Sequence, residues 1–228
     1  IFIRWTSKNK QEIIESRTLS TNLLYRILKS HPHQVKHIIS ASAIGIYPDS
    51  LTAFYTEDNK SVDNSFLGQV VVKWEEAVDN FKRLNIKVCK IRTGLVLSNK
   101  GGMLKELLKP IKVGMGSAYG SGKQWQSWIH MHDLAHLYLF AIQHQWEGVY
   151  NGTAPNPVDN HELVKKIATA MEKPFFMPNV PEFLLKALLG EMYILLVSSQ
   201  NVSSQKAQDN GFVFKYRTLD KALDNLLG

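Results

Sequence analysis

Apolar residues recur at helical spacing through the first thirty positions of the chain. Thr6 or Ser7 can cap a helix that runs to about Ser30, where His31-Pro32-His33 ends it. The apolar positions of this helix are Ile13, Ile14, Leu19, Leu23, Leu24, Ile27 and Leu28. The same pattern predicts further helices at 66–84, 103–112, 132–144 and 158–171.

Short apolar runs lie between these helices and predict strands at 35–40, 86–91, 128–130 and 148–151. Alternating strands and helices indicate an α/β fold with a parallel sheet covered by helices. Past about Lys173 the pattern changes, because Pro174, Pro178 and Pro181 interrupt it and only short helices and a brief strand at 212–214 follow. We therefore predict a sheet domain over 1–172 and a small, mostly helical C-terminal lobe over 173–228.

Composition excludes several classes of protein. The 228 residues carry a net charge of +7, but the basic residues are scattered, so we expect solvated faces and a few phosphate contacts, not nucleic-acid binding. The single cysteine, Cys89, rules out an internal disulfide and fits a reducing, cytoplasmic compartment; its strand-like surroundings predict a buried thiol rather than a nucleophile. The apolar clusters at 183–189 and 192–197 are too short to span a bilayer, and no signal peptide is visible.

Polar and small residues follow two of the predicted strands. Ligands of open parallel sheets bind outside the carboxyl ends of the strands. Residues 40–47 offer the hydroxyls of Ser40, Ser42 and Tyr47 beside small residues such as Ala41, which let a flat ring or a sugar approach the backbone. A tight turn that requires small side chains would give the same pattern.

The next strand ends in Arg92-Thr93-Gly94. An arginine at this edge can bind a phosphate or carboxylate with two hydrogen bonds, or it can form a structural salt bridge. Both readings stay open for Arg92 at the level of sequence.

Two tryptophans fall in the loop 120–133, which therefore predicts a wall of a binding cleft. The alternative is a loop that fills the core. We take the substrate-binding candidates to be Gln124, Trp125, Trp128 and His130. His132 and His136 have the spacing of a two-histidine metal face, but no third ligand is suitably spaced, so no metal site is predicted.

An ordered set of short motifs runs through the whole chain. The set comprises Arg4-Trp5-Thr6, Glu15-Ser16-Arg17, 40–47, Thr56-Glu57, Trp74-Glu75, Arg92-Thr93-Gly94, 120–133, 151–157, Gly190-Glu191-Met192, Ser199-Gln200 and Gly211-Phe212 before Tyr216. Together they resemble the NAD(P)-dependent epimerase/dehydratase-like family, a group of atypical extended short-chain dehydrogenase/reductases that end in a small C-terminal domain of unknown function.

The resemblance implies a Rossmann-like domain over 1–172 that binds NADP or NAD, with NADP favoured, and a small-molecule substrate. It assigns the cofactor to Ser40, Ala41, Arg92, Thr93 and Gly94. Members of the family open with a strand, a glycine-rich turn and a helix that holds the pyrophosphate. No such motif precedes Trp5, so we expect the N-terminal strands of the sheet to be missing from this sequence.

The resemblance also implies a departure in catalysis. The wider superfamily uses Tyr-x-x-x-Lys on its long helix to move a proton while hydride passes to or from the nicotinamide. Counted back from Glu75, those two places hold Leu67 and Val71. Ser42 with Tyr47 is the candidate substitute pair.

Two functions remain open from this reading. One is an NAD(P)-dependent oxidoreductase or epimerase-like protein acting on a small, perhaps sugar-like, substrate. The other is a non-catalytic dinucleotide sensor or scaffold. Relatives pair through the two long helices, which here lie near 6–30 and 66–84, so the resemblance also implies a homodimer.

Overall fold

A three-stranded parallel sheet forms the centre of the protein. It comprises β1 (His37–Ala43), β3 (Lys87–Thr93) and β7 (Gly148–Gly152), with β3 in the middle. The structure is a computed structural model and describes residues 4–228. Among those residues β1 pairs on one side only, so it forms an edge of the sheet. The register aligns Ser42 with Arg92 and Arg92 with Asn151, which puts these three polar side chains in one row across the strands.

Helices cover both faces of this sheet. On one face α1 (Ser7–Ser30) and α2 (Phe66–Asp79) lie side by side, and α2 is followed by a short 3-10 helix, Asn80–Leu84. Val88 packs towards them with Val78 and Phe81. The alternate residues Cys89 and Ile91 pack on the other face, against α4 (Met131–Gln143). The side-chain alternation of β3 therefore supplies both halves of the core.

Three pairs of short strands form separate two-stranded sheets beside this one. β2 (Phe54–Tyr55) pairs with β9 (Asn201–Val202), β4 (Leu95–Leu97) pairs with β6 (Trp128–His130), and β5 (Trp125–Gln126) runs antiparallel to β8 (Val158–Asp159). The other helices are α3 (Gly102–Lys112), α5 (Asn160–Ala170), α6 (Glu182–Leu189), α7 (Ile194–Val197), α8 (Gln205–Asp209) and α9 (Leu219–Leu227).

The periodicity predicted the long helices well. Thr6 caps α1, its Oγ1 accepting a hydrogen bond from the Asn9 N–H at 3.2 Å. The helix predicted at 158–171 begins two residues later, because Val158–Asp159 pair with β5 and Asp159 becomes the cap. The strand predicted at 212–214 is wrong: this segment is irregular and is held by burial of Phe212 and Phe214 beneath α4.

The C-terminal segment shares the core of the sheet domain. Tyr216, Leu219 and Leu223 pack in one apolar cluster with Trp128. The Asp133 carboxylate, in the first turn of α4, accepts the backbone N–H groups of Lys215 and Tyr216 at 3.0 and 2.8 Å. The small helical C-terminal lobe is therefore anchored to α4, and the division at 172/173 stays a prediction.

Candidate functional site

A cleft of about 230 Å³ opens at the carboxyl ends of β1 and β3. Ala43, Ile44 and Gly45 continue β1 into its wall, and Thr93 and Gly94 do the same for β3. This is where a parallel sheet of this class presents its ligands. The strand ends can approach one another here because Gly94 has no side chain: a Cβ would lie 2.1 Å from the Ser127 carbonyl oxygen.

The opposite wall comes from segments far away in the sequence. Trp125, Gln126 and Ser127 contribute the middle of the tryptophan loop, and Ile194 and Leu195 contribute the start of α7. The contribution of α7 to the cleft was not predicted, although the apolar cluster at 192–197 and the motif Ser199-Gln200 stand out in the sequence.

Hydrogen bonds tie these two walls together. The Trp125 N–H donates to Ser199 Oγ at 3.0 Å, and the Gln200 N–H donates to the Trp125 carbonyl at 3.3 Å. Ser127 Oγ donates to the Gln200 carbonyl at 2.8 Å and accepts from the Val202 N–H at 2.9 Å. The C-terminal segment is thus part of the site.

Of the eleven predicted site residues, the cleft contains Thr93, Gly94 and Trp125. Trp125 is half-buried, and its Nε1 donates to the Leu51 carbonyl at 3.1 Å. Thr93 and Gly94 therefore lie where a cofactor contact was predicted, and Trp125 lies where a substrate contact was predicted. The two roles stay predictions.

Trp128 and Gln124 lie outside the cleft, contrary to the cleft-wall expectation. Trp128 is completely buried, and its Nε1 donates to the Asn156 carbonyl at 3.0 Å, so this indole fills the core. The Gln124 amide donates to the carbonyls of Tyr119 and Leu196 at 3.0 and 2.9 Å. Both side chains support the loop whose middle carries Trp125.

His130 also has a structural position. Its Nδ1 accepts the His132 N–H at 3.0 Å, which caps α4, and its ring stacks on Tyr216 with centroids 3.8 Å apart. Burial lowers the pKa of His130, with the Asp133 charge acting against it. A neutral imidazole accepting a backbone N–H fits this position. Within residues 4–228, no group of three or more His, Cys, Asp or Glu side chains could hold a metal ion.

Ser42, Tyr47 and Arg92 meet in a buried polar network beside the cleft. Arg92 forms a two-pronged ion pair with Glu75 on α2, Nε to Oε1 at 2.8 Å and Nη2 to Oε2 at 3.0 Å. Ser42 Oγ donates to Glu75 Oε1 at 2.6 Å. Of the two roles that the sequence left open for Arg92, the structure has the structural salt bridge. The expected phosphate contact is not seen, because Nε and Nη2 of the guanidinium both donate to Glu75.

Tyr47 closes the network on its other side. Its hydroxyl donates to Asn151 Oδ1 at 2.8 Å and accepts from Arg92 Nη1 at 3.0 Å, and the side chain has no exposed surface. Burial raises the pKa of the Tyr47 phenol, although Arg92 opposes the rise. Neither Tyr47 nor Ser42 lines the cleft. The two side chains that the sequence suggested as a catalytic pair are instead hydrogen-bonded to other groups of the protein.

Cationic side chains surround the Glu75 carboxylate and its neighbour Asp79. Burial acts to raise the pKa of Glu75, but hydrogen bonds from Arg92 and Ser42 and the charges of Arg92 and Lys90 outweigh it and hold the pKa below its ordinary value. Lys90 Nζ lies 3.3 Å from Glu75 Oε2 and 2.8 Å from Asp79 Oδ2. Lys82 Nζ also lies 2.8 Å from Asp79 Oδ1, so each of the two carboxylates has two cationic partners.

The remaining predicted residues lie along the strands. Ser40 and Ala41 are half-buried in β1 away from the cleft, and Ser40 Oγ donates to the Ala41 carbonyl at 2.9 Å. Cys89 is fully buried, as predicted, and burial raises the pKa of its thiol to about 12. A thiol with this pKa is protonated at neutral pH and is no nucleophile.

The family of the chain follows from comparison with known proteins. The profile of the NAD dependent epimerase/dehydratase family matches residues 2–152. This chain belongs to that family. A domain of unknown function, DUF1731, matches residues 180–226 and corresponds to the C-terminal segment that supplies part of the cleft.

Individual relatives of this epimerase/dehydratase family cover nearly all of the chain. Epimerase family protein YfhF of Bacillus subtilis is 39% identical over 228 residues, which are the whole of this chain and 75% of that protein. The structure of human epimerase family protein SDR39U1 (isoform 2) with NADPH is 30% identical, with a TM-score of 0.91 over 99% of this chain and 76% of that one. A nucleoside-diphosphate sugar epimerase from Corynebacterium glutamicum is 30% identical, with a TM-score of 0.79 over 100% of this chain and 45% of that one.

More distant epimerases share the fold. UDP-glucuronic acid 4-epimerase from Bacillus cereus has a TM-score of 0.73 at 14% identity over 94% of this chain and 67% of that one. The Rossmann-like α/β fold is therefore confirmed. No helix within residues 4–228 is long and apolar enough to cross a membrane.

Two residues of α2 in the cleft wall bear on the chemistry expected of the epimerase/dehydratase family. Leu67 and Val71 of α2, which fall by count from Glu75 at the places where the resemblance leads us to expect tyrosine and lysine, both line the cleft wall. Neither side chain can exchange a proton.

Proposed function

We propose that this protein is an NADP-dependent oxidoreductase that acts on a small molecule in the cleft at the ends of β1 and β3. The observation that carries the proposal is the cleft itself, at the ligand-binding edge of the sheet of a family that uses a nicotinamide dinucleotide. The NADPH in the human SDR39U1 structure supports NADP over NAD. The buried, protonated Cys89 fits the cytoplasm as the setting.

The strand ends fit the ring end of such a cofactor. A Cβ added at Gly45 would lie 3.7 Å from Leu67 Cβ, so the glycine keeps a narrow space open between the strand end and α2. Ala43, Thr93 and Gly94 would hold the ring by backbone and small side-chain contacts, and Ser40 and Ala41 remain the predicted contacts further along β1. When bound, the dinucleotide supplies or accepts a hydride.

Leu67 and Val71 favour simple reduction over epimerisation. Epimerisation by this superfamily removes a proton from a substrate hydroxyl and later returns it, which calls for a titratable group at the reacting atoms. Leucine and valine have none. In reduction the chain would orient a carbonyl acceptor; the cofactor would give a hydride to its carbon, and water at the mouth of the cleft would give a proton to its oxygen.

A titration of the natural full-length protein with NADPH and NADH tests this proposal. We expect saturable quenching of tryptophan fluorescence, at least tenfold tighter for NADPH, followed by acceptor-dependent loss of nicotinamide absorbance. A tighter response to NADH would contradict the cofactor choice. The absence of quenching by either dinucleotide would contradict the function.

The second candidate function is a dinucleotide sensor without turnover. The same two apolar residues, Leu67 and Val71, favour it, because they remove the usual proton relay. Tight dinucleotide binding without oxidation of NADPH by any acceptor that binds the cleft would identify a sensor.

We also propose a homodimer through α1 and α2. The two helices form one continuous surface, with the Arg17 guanidinium 5.4 Å from the ring centroid of Trp74 and the rings of Tyr25 and Phe81 5.9 Å apart. The groove between them has a volume of about 560 Å³ and exposes opposite charges on α2, including Lys73 and Glu76. Two copies related by a twofold axis would bring Lys73 of one within reach of Glu76 of the other.

Charge reversal tests this dimer. Lys73→Glu and Glu76→Lys should each weaken association about tenfold, which corresponds to about 1.4 kcal/mol, because like charges then face each other. The double reversal should restore it. Sedimentation equilibrium measures the three variants, and a double variant no better than the singles would argue against this interface.

A further inference from the structure

The walls of the cleft are mostly apolar. Its lining includes Ile44, Leu67, Val71, Leu95, Met103 and Ile194, in addition to the indole of Trp125. Each apolar group that a ligand covers contributes roughly 25 cal/mol per Å² of surface removed from water. The site therefore favours an apolar ligand.

Charged groups are absent from the lining. Among the described residues that form the cleft there is no Lys, Arg, His, Asp or Glu. The nearest buried cation of the network, Arg92, already has a carboxylate partner in Glu75. A phosphate or carboxylate transferred from water into this cleft would lose its hydration without gaining a counter-ion, which is strongly unfavourable.

Few polar side chains in the lining are free to bind a ligand. Ser127 makes two hydrogen bonds within the protein, and Thr93 Oγ1 donates to the Ile91 carbonyl at 3.3 Å. Gln200 also lines the cleft, and its side-chain amide donates to the Tyr47 carbonyl at 3.4 Å. Among residues 4–228, the lining side chains of Gln126 and Ser198 make no hydrogen bond within the protein. These few polar groups can serve one polar atom of a ligand, such as a carbonyl oxygen.

The size of the cleft limits the ligand further. Its 230 Å³, which the nicotinamide ring would share with the substrate, lie below the range of roughly 300–1,000 Å³ that is usual for drug-sized ligands. Because hydrogen bonds join the Trp125 and Ser127 segment to the segment at 199–202, the cleft cannot widen without breaking them.

We infer that the substrate is a small, uncharged, mainly apolar carbonyl compound, and not a nucleotide sugar. This inference rests on the proposed oxidoreductase function and names the substrate class of that same cleft. It assigns Leu67 and Val71 a positive role: where relatives in the superfamily carry a proton relay, this protein has an apolar wall that selects the substrate.

A matched pair of ketones tests the inference on the full-length protein. 4-Isopropylcyclohexanone and 4-oxocyclohexanecarboxylate have nearly the same shape but differ by one negative charge. Saturation-transfer NMR, with and without NADPH, should detect the neutral ketone bound at least tenfold more tightly than the carboxylate. UDP-glucose should show no competition with the ketone.

Variants of the wall decide whether binding occurs in this cleft. Leu67→Lys should weaken the neutral ketone at least tenfold and strengthen the carboxylate, while Leu67→Gln should weaken the ketone without helping the carboxylate. Leu188→Lys, at a leucine of α6 that is 71% exposed, is the matched control and should change neither. Circular dichroism melting verifies that each variant is folded.

The outcomes separate this inference from the proposed function. Equal or tighter binding of the carboxylate or UDP-glucose by the unmodified protein would overturn the inference, as would unchanged ketone binding in folded Leu67→Lys. Failure of the ketone to bind while NADPH binds would also overturn it and leave the dinucleotide assignment intact. Ketone binding without any NADPH binding would overturn the oxidoreductase function alone.

Discussion

Replacement of Arg92 with Met is expected to destabilise the protein by about 3–5 kcal/mol, because it leaves the buried Glu75 carboxylate without its main partner. Thermal unfolding at neutral pH measures the effect, at roughly 2–4 °C per kcal/mol for a chain of this size. Burial already acts to raise the pKa of Glu75, and without Arg92 this effect has less to oppose it.

The pH dependence of the two proteins should therefore differ. In the natural protein the pKa of Glu75 is lowered by folding, so its contribution to stability is complete above the ordinary value of 4.5 and is lost as the pH falls through the lower, folded value. In Arg92→Met, Lys90 is the cation that remains beside Glu75, so acid neutralises a carboxylate that has lost its main partner. The difference between the two melting temperatures should shrink as the pH falls below about 5.

The double variant Arg92→Met/Glu75→Leu is the control for this prediction. It removes both charges and should recover most of the lost stability, since apolar pairs of similar size often replace buried ion pairs without loss. A double variant that is as unstable as Arg92→Met alone would show that the network stabilises through Ser42 and Tyr47 and not through the ion pair.

Gly94→Ala should disrupt both stability and the cleft. The added Cβ would lie 2.1 Å from the Ser127 carbonyl oxygen and 2.8 Å from Thr153 Cγ2, and backbone at that distance must move. The Ser127 carbonyl accepts the Leu95 N–H at 2.8 Å, so its displacement separates β4 from β6. Overpacking of this kind costs about 1–3 kcal/mol and often more where backbone is involved.

Gly45→Ala is the matched control in the same cleft. Its Cβ would meet Leu67 Cβ at 3.7 Å, an ordinary van der Waals distance, so the melting temperature should change little. Melting curves of the two variants, and NADPH titration of each, make the comparison. Equal melting temperatures for Gly94→Ala and the natural protein would contradict the close approach of the two strands.

Local sequence rules predicted the helices and the positions of the main strands but not the partners of the polar residues. Thr6 and the apolar spacing after it were sufficient for α1, because both signals act within a few residues. Arg92 left two readings open, because its partner Glu75 lies 17 residues earlier on α2 and only the register of β1 and β3 brings Ser42 beside it. That register depends on tertiary packing, which spacing alone does not encode.

The tryptophan loop shows the same limit. Trp125 and Trp128 are equally attractive as cleft residues in the sequence, yet one lines the cleft and the other fills the core. The difference arises because β5 pairs with β8 while β6 pairs with β4, so indoles three positions apart in the sequence lie in different surroundings. The Leu67 and Val71 positions, by contrast, were found by family resemblance, and the structure shows both on the cleft wall.

The hydrogen bonds between the Trp125 segment and the segment at 199–202 have a further consequence for binding. Residues about 75 positions apart are joined at four points, including Trp125 to Ser199 and Ser127 to Val202. The two walls therefore keep a fixed separation before any ligand arrives. Binding of a ligand then requires little ordering of the protein. A preorganised cleft of this kind loses little conformational entropy on binding, and its affinity does not depend on domain closure.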